Sequence, residues 1–110
     1  MRDFREFKVW EKAHVLTLDI YKATATFPRA EMYGLTSQLR RAGVSVPSNI
    51  AEGKGRSSDR ELIQFLCHSR GSLFEIETQL AIAERLGYVK SDECISIRRE
   101  TSRIGQMLNG

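Results

Sequence analysis

Hydrophobic residues recur along this chain at alternating steps of four and three, the spacing that keeps side chains on one side of an α-helix. In the first segment Val9, Ala13, Leu16, Ile20, Ala23 and Phe27 form such a stripe. Trp10 and Leu18 flank it, and Glu11, Lys12, Asp19 and Lys22 occupy polar positions around it. Pro28 predicts the end of this helix, because proline pushes the preceding residue out of the helical region. A second helix is predicted over residues 33–51, where Leu35, Leu39, Ala42, Val46 and Ile50 share a narrow arc. Pro47 interrupts that arc. It has no N–H for the carbonyl four residues back, and its ring crowds that carbonyl. The residue concerned is Gly43, which adds no side chain to the crowding, so the pattern predicts one kinked or loosened helix, not two. Gly53 and Gly55 then offer themselves for a left-handed cap.

The third segment keeps the pattern longest, through Leu62, Leu66, Ser69, Leu73, Ile76, Leu80 and Ala83. Ser58 and Glu61 have capping-box spacing, in which the hydroxyl bonds the Glu61 amide and the carboxylate reaches back. Gly87 suits the closing cap. The predicted helix covers residues 59–86, about 40 Å at 1.5 Å per residue. The fourth segment opens at Ser91 with Asp92 and Glu93 in its first turn, where a helix N-terminus favours negative charge. Cys94, Ile97, Thr101, Ile104 and Leu108 carry its stripe, and Gly105 and Asn109-Gly110 predict a frayed end. No segment alternates with period two, so strands are not expected. The connections near residues 28–32, 53–58 and 87–91 are short, which sets neighbouring helices antiparallel. The expected fold is a single all-α domain over residues 1–110, an antiparallel up-down-up-down four-helix bundle with a kinked second helix.

Composition narrows the class. Among 110 residues, 41% are hydrophobic and 28% charged, the balance of a globular chain and not of a disordered one. No apolar run approaches the ~20 residues of a membrane span, and residues 1–6 lack the apolar core of a secretory signal. The expected compartment is the cytoplasm. Seventeen Lys and Arg against fourteen Asp and Glu leave a net charge of +3. The surplus is +2 over residues 1–30 and +2 over residues 31–56, against −1 over residues 57–110. Nucleic acid is thus a permitted partner. Cys67 and Cys94 are both expected as buried free thiols, since nothing suggests an oxidising compartment.

Several stretches form a recognisable set: Val9-Trp10-Glu11-Lys12-Ala13-His14, residues 33–42 (Tyr33 to Ala42), residues 46–53 (Val46 to Gly53), Arg70-Gly71-Ser72-Leu73 and residues 81–88. On these the chain resembles the four-helix-bundle proteins encoded in intervening sequences of bacterial 23S ribosomal RNA genes. That family is similar in turn to the accessory variability determinant of diversity-generating retroelements. The resemblance covers nearly the whole chain. It implies a bundle that assembles as a ring-shaped homopentamer. For the retroelement relatives it also implies a basic surface that binds nucleic acid and a reverse transcriptase; for the intervening-sequence branch it implies no firm biochemical role.

Candidate sites follow from the second helix. Opposite its apolar arc lie Gly34, Ser37, Ser45 and Ser48, with Val44 nearby, where a solvent face would carry Lys, Glu and Gln. Small residues admit another backbone. The two readings are burial within the chain's own bundle and a subunit contact, and the implied ring favours the contact. Trp10, spaced by three from Phe7 and by six from Phe4, is a core or interface anchor and joins that set. Arg40, Arg41, Lys54 and Arg56 are the candidate nucleic-acid-binding residues, with ion pairing within or between subunits as the alternative. Lys54-Gly55-Arg56-Ser57-Ser58 leads into a helix N-terminus, where amides can receive an anion. Arg41 is too far along the helix to meet Glu52, for which Arg70 is a candidate partner. A five-copy ring would carry about +15, so repeated patches would act together on a polyanion.

Catalysis is not expected. No Ser, Cys or Thr is spaced with a His and a carboxylate in a recognisable triad, and Glu75 and Glu77, two apart, point away from each other on a helix. His14 and His68 are read as packing or solvent-exposed residues, and no metal or cofactor is anticipated. The sequence therefore describes a non-enzymatic oligomeric bundle with a basic surface for structured RNA or DNA. The alternative is a structural or protein-binding oligomer whose arginines pair between subunits.

Overall fold

The chain is described by a computed structural model over residues 3–109. Four helices carry it: α1 (Lys8–Thr24), α2 (Leu35–Lys54), α3 (Asp59–Arg85) and α4 (Ser91–Asn109), with single 3₁₀ turns at Phe4–Glu6 and Arg29–Glu31. The packed pairs are α1–α2, α2–α3, α3–α4 and α4–α1, which close a four-cornered bundle of 44 × 25 × 20 Å. The described residues contain no strand. Fold and element order match the reading from hydrophobic spacing.

The predicted stripes are the buried ones. Leu16 and Ile20 of α1, Leu39, Val46 and Ile50 of α2, Ile76 and Leu80 of α3, and Ile97 and Ile104 of α4 fill the centre. Each such side chain contributes roughly 1.5–3 kcal/mol by leaving water. At the chain start Trp10 is half-buried, edge-on to Phe4 at 5.2 Å and stacked on His14 at 5.1 Å.

Helix ends show where local chemistry decided. Ser58 Oγ accepts from the Glu61 amide at 3.2 Å, as expected, but the Glu61 carboxylate takes the Ser58 hydroxyl and not its amide. Gly87 closes α3 at φ 81°, with Gly87 N–H to the Glu84 carbonyl and Tyr88 N–H to the Ala83 carbonyl, the paired bonds of a Schellman motif. The cap foreseen at Gly53 or Gly55 takes no left-handed residue: among the described residues only Gly87 has positive φ. Gly53 is small for another reason. A Cβ there would stand 3.0 Å from Phe65 Cβ and 3.4 Å from the Leu62 carbonyl, so α3 starts against its bare backbone. α4 continues through Gly105 to Asn109, against the expected fraying; Gly110 lies outside the described residues. Only Cys94 is the buried thiol foreseen for both cysteines. Burial raises its pKa, whereas Cys67 is exposed on α3.

α2 runs unbroken through Pro47. The carbonyl of Gly43, which Pro47 cannot serve, lies 2.9 Å from the hydroxyl of Thr17 on α1, whose single proton it shares with the Ala13 carbonyl at the same distance. On its other flank, Ser69 of α3 donates to the Val46 carbonyl at 2.9 Å, and Ser72 donates to Ser45 Oγ at 2.8 Å. Asn49 Nδ2 completes the group by donating to Ser45. At Gly43 the Thr17 hydroxyl thus stands in for the donor that proline removes, as the cost of a buried unsatisfied carbonyl demands, while the Ser69, Ser72 and Asn49 bonds go to groups that Pro47 does not deprive.

Thr17→Val is expected to destabilise the fold by about 1–3 kcal/mol in urea denaturation, because the Gly43 carbonyl loses its donor. In a Pro47→Ala background, where residue 47 regains an N–H, the same change should cost less. Equal costs in both backgrounds would show that Thr17 does not serve that carbonyl.

Candidate nucleic-acid interface

The four cations singled out by sequence do not form one patch. Arg40 is turned onto the end of α1: its Nε donates to Thr24 Oγ1 at 2.8 Å, its Nη2 to the Tyr21 carbonyl at 3.3 Å, and its guanidinium lies 4.6 Å from the Tyr21 ring centroid. A cation there complements the negative end of the helix dipole. Lys54 Nζ sits 4.3 Å from the Phe7 ring centroid. Arg56 covers Phe65 at 4.9 Å and pairs with Glu52 at 3.4 Å. Glu52 therefore meets the arginine one turn on, while Arg70 donates to Asn109 Oδ1 at 2.7 Å. Arg41 is exposed beside Tyr33 and Ser37. Arg40 and Arg41 stand ~20 Å along the helix from Lys54 and Arg56.

The small residues of α2 also have work inside the chain. Gly34 is the N-cap of α2, where a Cβ would stand 2.6 Å from Glu31 Oε1, the oxygen that accepts from the Leu35 amide. The other Glu31 oxygen accepts from Tyr88 Oη at 3.2 Å, tying this cap to the α3–α4 turn. Ser45 belongs to the group shared with Ser72. Ser37 and Trp10 are half-buried, and Ser48 and Val44 are exposed.

A denser group of cations lies between α1 and α4. Lys8 and Lys12 of α1 face Arg99 and Arg103 of α4 across a groove of about 690 Å³, with Val15, Ile104 and Met107 at its apolar base and Glu11 and Glu100 on its walls. Arg98 continues the positive surface round α4 beside Ser102 and Gln106. The spacing explains the grouping: Lys8 and Lys12, like Arg99 and Arg103, are four apart and share a helix side. The described residues hold two ion pairs, Arg5–Asp3 and Arg56–Glu52, and neither involves these five cations. The signal for this surface was present in the sequence as two i, i+4 cation pairs on helices that a four-helix bundle makes neighbours. Segment-wise charge counting hid it, because the acids of residues 57–110 cancel in a sum but not in space.

One acid in the groove is perturbed. Glu100 is pushed up to about 7, by burial first and then by the neighbouring Asp19 carboxyl of α1; Lys12 opposes this. Two neighbouring carboxyls ionise together only at a cost.

α3 presents a further surface. Its core side carries Ser69, Ser72, Leu73, Ile76, Leu80 and Ala83. At 100° per residue, Ile63, Cys67, Phe74 and Ala81 fall on the opposite side, and all are exposed, Phe74 at 62% and Ile63 at 59%. Exposed Arg60, Thr78 and Arg85 share this bearing. Ile82 and Leu86 are also exposed but sit about 80–120° round the helix from Phe74.

Glu11 stands three residues before His14, a spacing that bundle metal sites use. His14 instead stacks on Trp10, and among the described residues no group of three His, Cys, Asp or Glu is placed to hold a metal. No described helix is long and apolar enough to cross a membrane.

The profile of the 23S rRNA-intervening sequence protein family matches residues 5–110. Among solved structures, the chain is similar to a protein of unknown function from the S23 ribosomal protein family of Bacteroides thetaiotaomicron VPI-5482. The TM-score is 0.81 at 23% identity, over 91% of this chain and 94% of the other. No curated protein matches.

Glu100 makes stability depend on pH. Its folded pKa lies above the ordinary 4.5, so the folded chain holds this proton more tightly than the unfolded one. Its stabilising contribution is complete below about 4.5 and is lost as pH rises through about 7. In thermal melts, Glu100→Gln should therefore gain stability relative to the parent as pH rises across that window. A difference that stays constant with pH would refute the assignment.

Proposed function

The chain belongs to the 23S rRNA-intervening sequence protein family, and we propose that it is a non-enzymatic, self-associating bundle that holds the phosphate backbone of nucleic acid on its α1–α4 face. The observation that carries this reading is the set of five cations, Lys8, Lys12, Arg98, Arg99 and Arg103, on one side of the bundle, outnumbering Glu11 and Glu100 there and, among the described residues, held in no ion pair. Cations left unpaired on one face are suited to displacing counterions from a polyanion, whereas Arg40 and Arg56 are already engaged within the fold. The groove offers no aromatic platform, so recognition runs through charge and shape and not through base edges. Structured RNA or DNA is the matching ligand class.

Self-association rests on the outward side of α3. Exposed Ile63, Cys67, Phe74 and Ala81 share one outward bearing of α3, and apolar side chains grouped on an outer face mark a contact surface. Copies joined through α3, five in the ring that the family resemblance implies, leave the α1–α4 cations on a different face. Repetition then multiplies a modest charge per chain.

Two measurements test these halves separately. Binding of a labelled RNA hairpin should weaken steeply with salt, with a log–log slope near −4 if most of the five cations meet phosphates. The Lys12→Ala/Arg99→Ala/Arg103→Ala variant should flatten that slope by about 3 units, while Arg41→Ala leaves it nearly unchanged. Salt-insensitive binding, or a slope unmoved in the triple variant, would exclude the groove. Phe74→Glu should shift light-scattering mass toward the single chain at micromolar concentration; an unchanged mass would place the contact elsewhere.

A further inference from the structure

The corner where α1 gives way to α2 carries a second groove, of about 490 Å³. Tyr21, Met32, Tyr33 and Val44 give it an apolar wall, and all four are exposed, Tyr33 at 92%. Arg40 and Arg41 line it as well, with Thr36 and Ser37 between them and the wall's Tyr33 in sequence. Among the described residues that form it there is no carboxylate and no lysine. Glu31, the acid beside Met32 in the chain, is turned to the Leu35 amide and the Tyr88 hydroxyl. Tyr, Met and Arg are the residue types enriched where proteins meet, and Lys, Glu and Asp are depleted there.

The two guanidiniums are prepared differently. Arg40 is fixed by Thr24 Oγ1, the Tyr21 carbonyl and the Tyr21 ring, and its Nη1 makes no hydrogen bond among the described residues. A carboxylate that meets it finds the group already ordered, which removes much of the side-chain entropy lost on binding. Arg41 is exposed and joins neither ion pair of the described residues, so it is free to meet a second carboxylate.

We infer that this α1–α2 groove docks a segment of another protein, one that presents an apolar side chain between acidic residues. Charge selects the occupant. Two guanidiniums with no facing carboxylate call for negative charge, and a wall of aromatic and thioether side chains calls for an apolar anchor beside it. A second copy of the chain matches poorly: it carries +3, and the outward side of α3 adds Arg60 and Arg85 to its apolar residues. A nucleic-acid strand also matches poorly, since two cations at one corner do not follow a run of phosphates as the five of the α1–α4 face do. The two grooves share no residue, so either can bind its partner without the other.

The test is selection of peptides from a random phage-displayed library against the full chain, followed by fluorescence anisotropy of the selected peptides. Sequences with Asp or Glu flanking an aromatic or aliphatic residue should be enriched. Their affinity should fall roughly tenfold or more in Tyr33→Ala, at the centre of the wall, and roughly three- to tenfold in Arg41→Ala. Both side chains are exposed, so neither change reaches the core, and circular dichroism should match the parent. The Lys12→Ala/Arg99→Ala/Arg103→Ala variant should bind the peptides as the parent does, which separates this groove from the α1–α4 face. No enrichment, or selected sequences without acidic residues, would overturn the inference. So would affinity that survives Tyr33→Ala or is lost in the triple variant. Displacement of the peptides by single-stranded RNA in the triple variant would reassign the groove to nucleic acid. A light-scattering mass that falls in Tyr33→Ala would reassign it to a second copy.

Discussion

The bundle depends on how α2 is served with hydrogen-bond donors. Pro47 leaves the Gly43 carbonyl without its usual N–H in the interior, where an unsatisfied carbonyl is costly. Thr17 reaches it from α1 at 2.9 Å, and Ser69 of α3 reaches the neighbouring Val46 carbonyl at the same distance. Apolar packing tolerates small rotations of a helix about its axis, but a hydroxyl directed at one carbonyl tolerates little. The apolar stripes choose the inward sides of α1 and α3, and these two bonds, with Ser72 against Ser45, fix the fine rotation of each against α2.

The outer surfaces follow from that setting. With Thr17 turned to α2, Lys8, Lys12 and Asp19 come to the α4 side of α1. With Ser69 and Ser72 turned to α2, Ile63, Cys67 and Phe74 are carried to the far side of α3. The α1–α4 cations and the exposed Ile63, Cys67 and Phe74 of α3 therefore lie on different faces.

The interior hydroxyls also account for features that first read as surface chemistry. Ser45 looked like part of a subunit contact because serine on a helix face is small and polar. It is the acceptor of Ser72 and Asn49. Gly34 looked like room for another backbone and proves to be room for the Glu31 cap. Arg40 looked like a phosphate ligand and instead closes the end of α1. In each case the residue type was informative and its partner was not, because a donor or a gap is the same in sequence whether it serves the next helix or another molecule.

By itself, the chain's spacing of apolar residues determined four helices, their order and their buried sides, along with the Ser58 and Gly87 caps. All of these arise from interactions within a few residues or from the helical repeat. The sequence also held the cation pairs at Lys8–Lys12 and Arg99–Arg103 as local spacings. Tertiary structure alone decided that those pairs line one groove and that Arg40 and Arg56 are engaged within the fold. Such outcomes depend on the rotation of one helix against another, and that rotation is set by a few buried hydroxyl contacts between residues 23 to 27 positions apart.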